Sequence, residues 1–151
     1  MGDLNVKLLE AIKGARERLD AAKRAAEAKR REELQRAADA IKQENAWNNA
    51  VGTVIRISVD WVSGDAVRKG SPLCIGPDTE GPMKVSFKIY TPSNPGGSRG
   101  GFSFSCNSGQ VTACSGPELQ RPAVPLEQVT PDWVKEIATE VLISALTSYR
   151  G

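Results

Sequence analysis

The sequence predicts an α+β fold: a long, coiled-coil-like N-terminal helix, then a small, mostly antiparallel sheet with one face covered by a C-terminal helix. Three observations predict this fold. Residues 4–47 hold no proline and one glycine among strong helix formers. Residues 51–115 contain short runs in which apolar and polar residues alternate, as in half-buried strands. Residues 131–149 carry a wide apolar face at helical spacing. We therefore expect a helix over 1–48 and an α+β head domain over 49–151.

The N-terminal helix carries a narrow apolar seam. Its heptad spacing fails where Lys29 and Glu33 take the next two seam positions, and it resumes after a gap of eight residues. Such a one-residue skip locally unwinds a left-handed supercoil but leaves the seam continuous. We therefore expect one unbroken helix that ends among Asn45, Asn48 and Asn49. The seam residues are Leu8, Ile12, Ala15, Leu19, Ala22, Ala26, Leu34, Ala37 and Ile41.

The formal net charge of +2 lies entirely on this helix. Residues 1–48 hold eleven Lys and Arg against nine Asp and Glu, and the rest of the chain holds nine of each. Between residues 16 and 31, the basic band, there are seven bases and three acids. One interpretation is a solvated helix with intrahelical ion pairs such as Asp20–Arg24. The other is a basic patch that contacts an acidic protein or a nucleic acid.

Candidate partner-binding residues combine the seam with the basic band. Isolated helices gain little stability from propensity alone, so the seam predicts something to pack against. With Ile12 at heptad position a, cations occupy the neighbouring e positions, and a second copy of the helix would set some of them against one another. This repulsion is weak and screened, and it makes an acidic partner an equally good match. The candidates are Arg16, Lys23, Arg30, Arg31, Leu19, Leu34 and Ile41.

The head domain is predicted to contain four or five strands. In the first, Ile55, Ile57, Val59 and Trp61 alternate with polar residues. The predicted strands, in order, are 51–62, 73–75, 83–90, 102–106 and a run that begins at residue 110. A loop rich in glycine and proline is predicted over 76–82.

The last two predicted strands form a hairpin around Ser108-Gly109, a dipeptide suited to a two-residue turn. Setting Asn107 opposite Gln110 brings the apolar side chains of both strands to one face. The same register sends Cys106 and Cys114 to opposite faces. We therefore expect no disulfide between these two cysteines.

The chain ends with an extended, proline-rich connection over 116–131 and a helix over 131–149. Thr130 is suited to the N-cap position and Pro131 to the first helical position. The three tryptophans are expected in the core where helices and sheet meet. For each of them a partly exposed interface anchor is the alternative.

Composition excludes several kinds of chemistry. The chain contains no histidine, which removes the commonest general base and metal ligand. Three scattered cysteines cannot complete a four-thiolate zinc site. The number of cysteines is odd and no Cys-x-x-Cys motif occurs, which fits a reducing compartment. The sequence shows neither a signal peptide nor a membrane-spanning segment. We expect a cytoplasmic protein without cofactor, metal or membrane partner.

Two further features are candidate anion-binding sites. The glycine-rich loop over 95–101 contains Arg99, but it lacks the Gly-Lys-Ser/Thr sequence and the following helix of a phosphate-binding loop. A flexible hairpin loop is the alternative interpretation. Lys84 and Lys88 lie with Tyr90 on the polar face of one predicted strand. One aromatic ring beside two lysines is a weak signal, and an ordinary solvated sheet face is the favoured interpretation.

These observations favour a non-enzymatic protein–protein interaction module of the adaptor or inhibitor type, a build typical of small bacterial and phage proteins. It would form a homo-oligomer or dock on another protein through its long helix. The alternative is binding of nucleic acid or a nucleotide-like anion through Arg16–Arg31 and the Arg99 loop. The small net charge argues against strong duplex binding. An enzyme would have to work through carboxylates, Ser, Cys, Lys or Arg.

Overall fold

The computed structural model describes residues 2–115 and 119–150. Its helices are α1 (Gly2–Ala50), a π-helical segment (Val51–Ile55), α2 (Arg56–Arg68), a 3-10 turn (Leu126–Gln128) and α3 (Pro131–Ser148). Its strands are β1 (Cys74–Gly81), β2 (Lys84–Tyr90), β3 (Gly101–Asn107), β4 (Gln110–Ser115), β5 (Leu119–Gln120) and β6 (Val124–Pro125). The predicted α+β class, with its long helix, antiparallel sheet and C-terminal helix, is confirmed. The chain divides into two compact units between Lys42 and Gln43.

Helix α1 is unbroken through Lys29 and Glu33, as the continuous seam predicted. Its predicted end among Asn45, Asn48 and Asn49 is wrong, because α1 reaches Ala50 and the chain stays helical to the end of α2. Asparagine lowers helix propensity only modestly. Trp47, 2% exposed, belongs to the core, so packing outweighs these weak stop signals.

The predicted strand over 51–62 is also wrong, because this stretch is helical. Two periods coexist in it, an alternation of two and a helical spacing of four and three. The structure buries the helical set and leaves Ile57 60% exposed. β-Branched residues favour a strand only where their surroundings suit one. The buried helical set is Val51, Ile55, Val59 and Val62.

The π-helical segment keeps the buried side chains of this stretch in line. In an α-helix, residues four apart are rotated by about 40° relative to each other, so a repeated spacing of four drifts around the axis. The i→i+5 turn of a π-helix holds more residues and reverses that drift. Trp47, Val51, Ile55 and Val59 can therefore contact one continuous core.

The six strands form one sheet in the order β1-β2-β3-β4-β5, with β6 also paired to β4, and every pairing is antiparallel. The predicted hairpin register is confirmed, since Asn107 pairs with Gln110. Ser108 and Gly109 have φ of 52° and 76°, as a type I′ turn requires. Cys106 is buried and Cys114 is exposed, and no disulfide joins them.

Strand β1 is longer than the strand predicted over 73–75, and the loop predicted to follow it is wrong from residue 76 to residue 81. β1 is an edge strand, and edge strands tolerate proline. The register shifts between Pro77 and Glu80, a bulge-like irregularity that absorbs the residues between them. Glycine and proline signals therefore marked an irregular edge strand in this case.

One face of the sheet is covered by two helices. The predicted cover by α3 is confirmed, and its N-cap Thr130 accepts a hydrogen bond from the backbone N–H of Trp133 at 3.2 Å. Helix α2 and the π-helical segment contribute to the same core, which the sequence did not predict. At the sheet, Phe87, Phe102 and Phe104 pack ring against ring with centroids 5.4 to 6.3 Å apart.

The predicted extended connection over 116–131 holds strands β5 and β6 and the 3-10 turn, and residues 116–118 lie outside the described residues. Arg121 ties this connection to α3 through ion pairs with Glu136 and Glu140. The hydrogen bond to Glu140 raises the pKa of Arg121 above its ordinary value.

We predict that Ser63→Ala destabilises the head domain by about 1–3 kcal/mol, the cost of a buried donor without a partner. The hydroxyl of Ser63 in α2 accepts a buried hydrogen bond from the backbone N–H of Ile75 in β1, at 2.9 Å. Urea unfolding measures the loss. Ser105→Ala, on the other face of the sheet, is the matched control with a change below about 0.5 kcal/mol. Equal losses in both variants would contradict this role.

Candidate functional site

The candidate partner-binding residues all lie in the first compact unit, on α1. Of the described residues 2–42, only Gly14 is even half-buried. Large aliphatic side chains are therefore exposed over residues 4–19 and again at residues 34 and 41, and the seam between them is made of alanines. The exposed large aliphatic residues are Leu4, Val6, Leu8, Leu9, Ile12, Leu19, Leu34 and Ile41.

The seam runs straight along α1. Four positions of α1 are spaced eleven residues apart. They are occupied by Leu8, Leu19, Arg30 and Ile41. Eleven residues are close to three turns of α-helix, so these positions form one row nearly parallel to the axis. The seam thus passes the skip at 29–33 without turning around the helix, and Arg30 lies within it.

Cations border the seam on both sides. With 3.6 residues per turn, Arg16 and Lys23 lie beside the seam on one side, and Arg18 and Lys29 lie on the other. Arg31 lies roughly a third of a turn from the middle of the seam. The structure therefore brings the predicted seam residues together with Arg16, Lys23 and Arg30, and it places Arg31 at the edge of the seam, three residues before Leu34.

None of these cations has an acidic partner. Among the described residues, no ion pair within 4.0 Å involves residues 2–42. The intrahelical pairs that one interpretation of the sequence expects, such as Asp20–Arg24, are therefore not formed in this conformation. The basic band is available to a partner.

The predicted anion-binding residues of the head do not form one site. Lys84 and Lys88 lie on the open face of the sheet, where the Lys88 Nζ donates a hydrogen bond to the carbonyl of Pro95 at 2.8 Å and lies 5.6 Å from the centroid of the Tyr90 ring. Arg99 instead lies 5.3 Å from the ring centroid of Tyr149, which packs against the core.

The glycine-rich loop uses several of its polar groups internally. The backbone N–H of Arg99 donates a hydrogen bond to the carbonyl of Ile89 at 2.7 Å. The backbone N–H of Gly97 donates one to the carbonyl of Asn94 at 3.1 Å. A loop that cradles an anion needs such groups directed at the ligand. These two therefore do not contribute to an anion-binding nest.

Sequence reasoning did not predict a second exposed apolar surface, the α2–α3 groove, with a volume of about 360 Å³. Trp61 of α2 is 51% exposed, and the Nζ of Lys135 lies 4.2 Å from its ring centroid. A half-exposed tryptophan beside a cation is typical of an interface anchor. The other apolar residues that line the groove are Val62, Ala66, Pro72, Leu142, Ile143 and Leu146.

Contacts within the head shift the pKa values of two of its titratable groups. The hydrogen bond from Lys69 lowers the pKa of Asp65, at the rim of the α2–α3 groove. Burial raises the pKa of the Cys106 thiol. A thiol of raised pKa in an apolar core is a packing residue.

Within the described ranges, no three or more Cys, Asp or Glu side chains come close enough together to hold a metal ion. No helix in the described part of the chain combines the length and the apolar character that a membrane crossing needs. The chain matches no protein-family model, no curated protein and no solved structure.

We predict that Trp47→Ala and Trp61→Ala differ sharply in their effect on stability. Trp47 is 2% exposed and its truncation leaves a cavity, with an expected cost of about 3–5 kcal/mol. Trp61 is already half in water, so its truncation should cost about 1 kcal/mol or less. Urea unfolding of the two variants measures the difference. A large loss for Trp61→Ala would show that this side chain serves the fold.

Proposed function

We propose that this protein is a non-enzymatic interaction module of the adaptor or inhibitor type, which binds another protein chain through residues 2–42 of α1. One observation supports this most strongly: a continuous helical seam whose large aliphatic side chains are all exposed. The partner is a second copy or a different protein, and the setting is the bacterial cytoplasm, with the protein encoded by the bacterium or by its phage.

The energetics of the seam favour a partner. Burying an exposed leucine or isoleucine side chain stabilises a complex by about 1.5–3 kcal/mol. Three such residues, Leu19, Leu34 and Ile41, outweigh a few exposed charge repulsions of at most about 1 kcal/mol each. Because small residues occupy the seam between them, a facing helix can approach closely or insert large side chains opposite the alanines.

We predict that the triple variant Leu19→Gln, Leu34→Gln, Ile41→Gln abolishes self-association of the purified chain. The experiment is sedimentation over a range of concentrations in about 500 mM salt, where the Debye length falls well below 10 Å and the repulsion between basic bands is screened. The wild type should associate with concentration, and the triple variant should stay monomeric, since each lost aliphatic contact weakens binding by about tenfold or more.

Val6→Gln is the matched control for this experiment. Val6 is 54% exposed and Leu19 is 55% exposed, but Val6 lies away from the seam. The control should associate like the wild type. A triple variant that associates as strongly as the control would exclude the seam as the binding surface.

The alternative function is binding of nucleic acid or a nucleotide-like anion. The absence of acidic partners for the basic band supports it, because unpaired cations are available to phosphates.

Retention on heparin or duplex DNA at increasing salt tests the alternative. If phosphates are the ligand, retention should fall steeply with salt, and Lys23→Glu, Arg30→Glu, Arg31→Glu together should abolish it. Retention that is absent, or unchanged in this variant, would contradict nucleic-acid binding by the basic band.

A further inference from the structure

We infer that the seam binds an amphipathic α-helix of another protein, one that carries large aliphatic side chains in its own seam and Asp or Glu beside them. This inference rests on the proposed function and adds the chemistry of the partner. Three features of α1 support it: the charges beside the seam, the sizes of the seam residues, and the charge that self-pairing would bring together.

Cations outnumber acids beside the seam, although one carboxylate, that of Glu33, takes a seam position. Arg16 and Lys23 lie seven residues apart along one side, at the e position that pairs across a coiled coil. Arg30, seven residues further on, lies within the seam itself. Arg18 and Lys29 lie on the other side of the seam. A partner helix laid along the seam therefore meets cations along both of its edges, and carboxylates at those positions complement them.

Pairing with a second copy would oppose like charges in either direction. A parallel copy sets Arg18 against Lys23, and an antiparallel copy sets the e-position cations such as Arg16 and Lys23 against one another. Each repulsion is small, but their sum discriminates between partners that bury the same apolar surface. At moderate salt the acidic helix is therefore preferred over a second copy.

The seam itself requires large side chains from the partner. Alanines occupy positions 15, 22, 26 and 37, between the larger seam residues Ile12, Leu19, Leu34 and Ile41. Facing positions pack to full density when large residues oppose small ones. An acidic helix with leucine at its seam positions fills the space over the alanines, while nucleic acid, which carries the same charge, cannot.

Two synthetic peptides of about four heptads test the inference with the full chain. Both carry leucine at a and d, and they differ only in having Glu or Lys at every e and g position, so both repel their own copies. Binding of each labelled peptide is measured by fluorescence anisotropy at about 100 mM and about 1 M salt, where the Debye length is about 10 Å and about 3 Å. We expect at least tenfold tighter binding of the Glu peptide at the lower salt and a smaller ratio at the higher salt.

Two charge-reversal variants locate the cations responsible. Arg16→Glu, Lys23→Glu, Arg30→Glu together should reverse the preference so that the Lys peptide binds more tightly. The matched control is Lys13→Glu, Arg24→Glu, Lys42→Glu, which changes the net charge equally but on the side of α1 away from the seam. The control should keep the preference for the Glu peptide. Equal effects of both variants would overturn the assignment to the residues beside the seam.

Each remaining outcome overturns the inference in a distinguishable way. If both peptides bind equally, the seam is a docking surface but does not select an acidic partner. The proposed function then stands and this inference fails. If neither peptide binds and the chain does not associate in high salt, the proposed function fails as well. If the chain forms a stable dimer that excludes both peptides, the occupant is a second copy. If duplex DNA binds at salt concentrations where the Glu peptide does not, the ligand is nucleic acid.

Discussion

The head domain depends on one line of apolar side chains that passes from the end of α1 into α2. Trp47, Val51, Ile55 and Val59 are all buried in one core, although in a regular α-helix a spacing of four repeated three times drifts by about 120° around the axis. The π-helical segment resolves this mismatch by adding residues to one turn. The buried side chains of the π-helical segment and of α2 therefore join the same core as those of α3.

Elements with strong local signals were predictable from the sequence. The continuity of α1 followed from its composition, the β3–β4 register from the turn at Ser108-Gly109, and the start of α3 from Thr130 and Pro131. Each of these signals involves residues close together in the chain. The stretch over 51–62 was not predictable, because its alternating and helical periods compete and only packing against distant strands decides between them. The α2–α3 groove was missed for the same reason, since it requires two helices far apart in the sequence.

The two exposed apolar surfaces of this chain differ in kind. The seam on α1 is long, narrow, lined by small residues and bordered by cations, whereas the α2–α3 groove is a cavity of about 360 Å³ with Trp61 in its wall. A long helix suits the first surface, and a few side chains suit the second. In the proposed adaptor or inhibitor role, these surfaces are two separate candidate contacts.

No side chain of residues 2–42 belongs to the hydrophobic core. Every side chain of this segment is exposed, with glycine at position 14 the one half-buried residue. Amino-acid changes along it can alter what is recognised at little cost to thermodynamic stability, a freedom that surfaces continuous with a core do not have. If the binding partner changes during evolution, residues 2–42 can diverge in sequence while the fold of the head domain is retained.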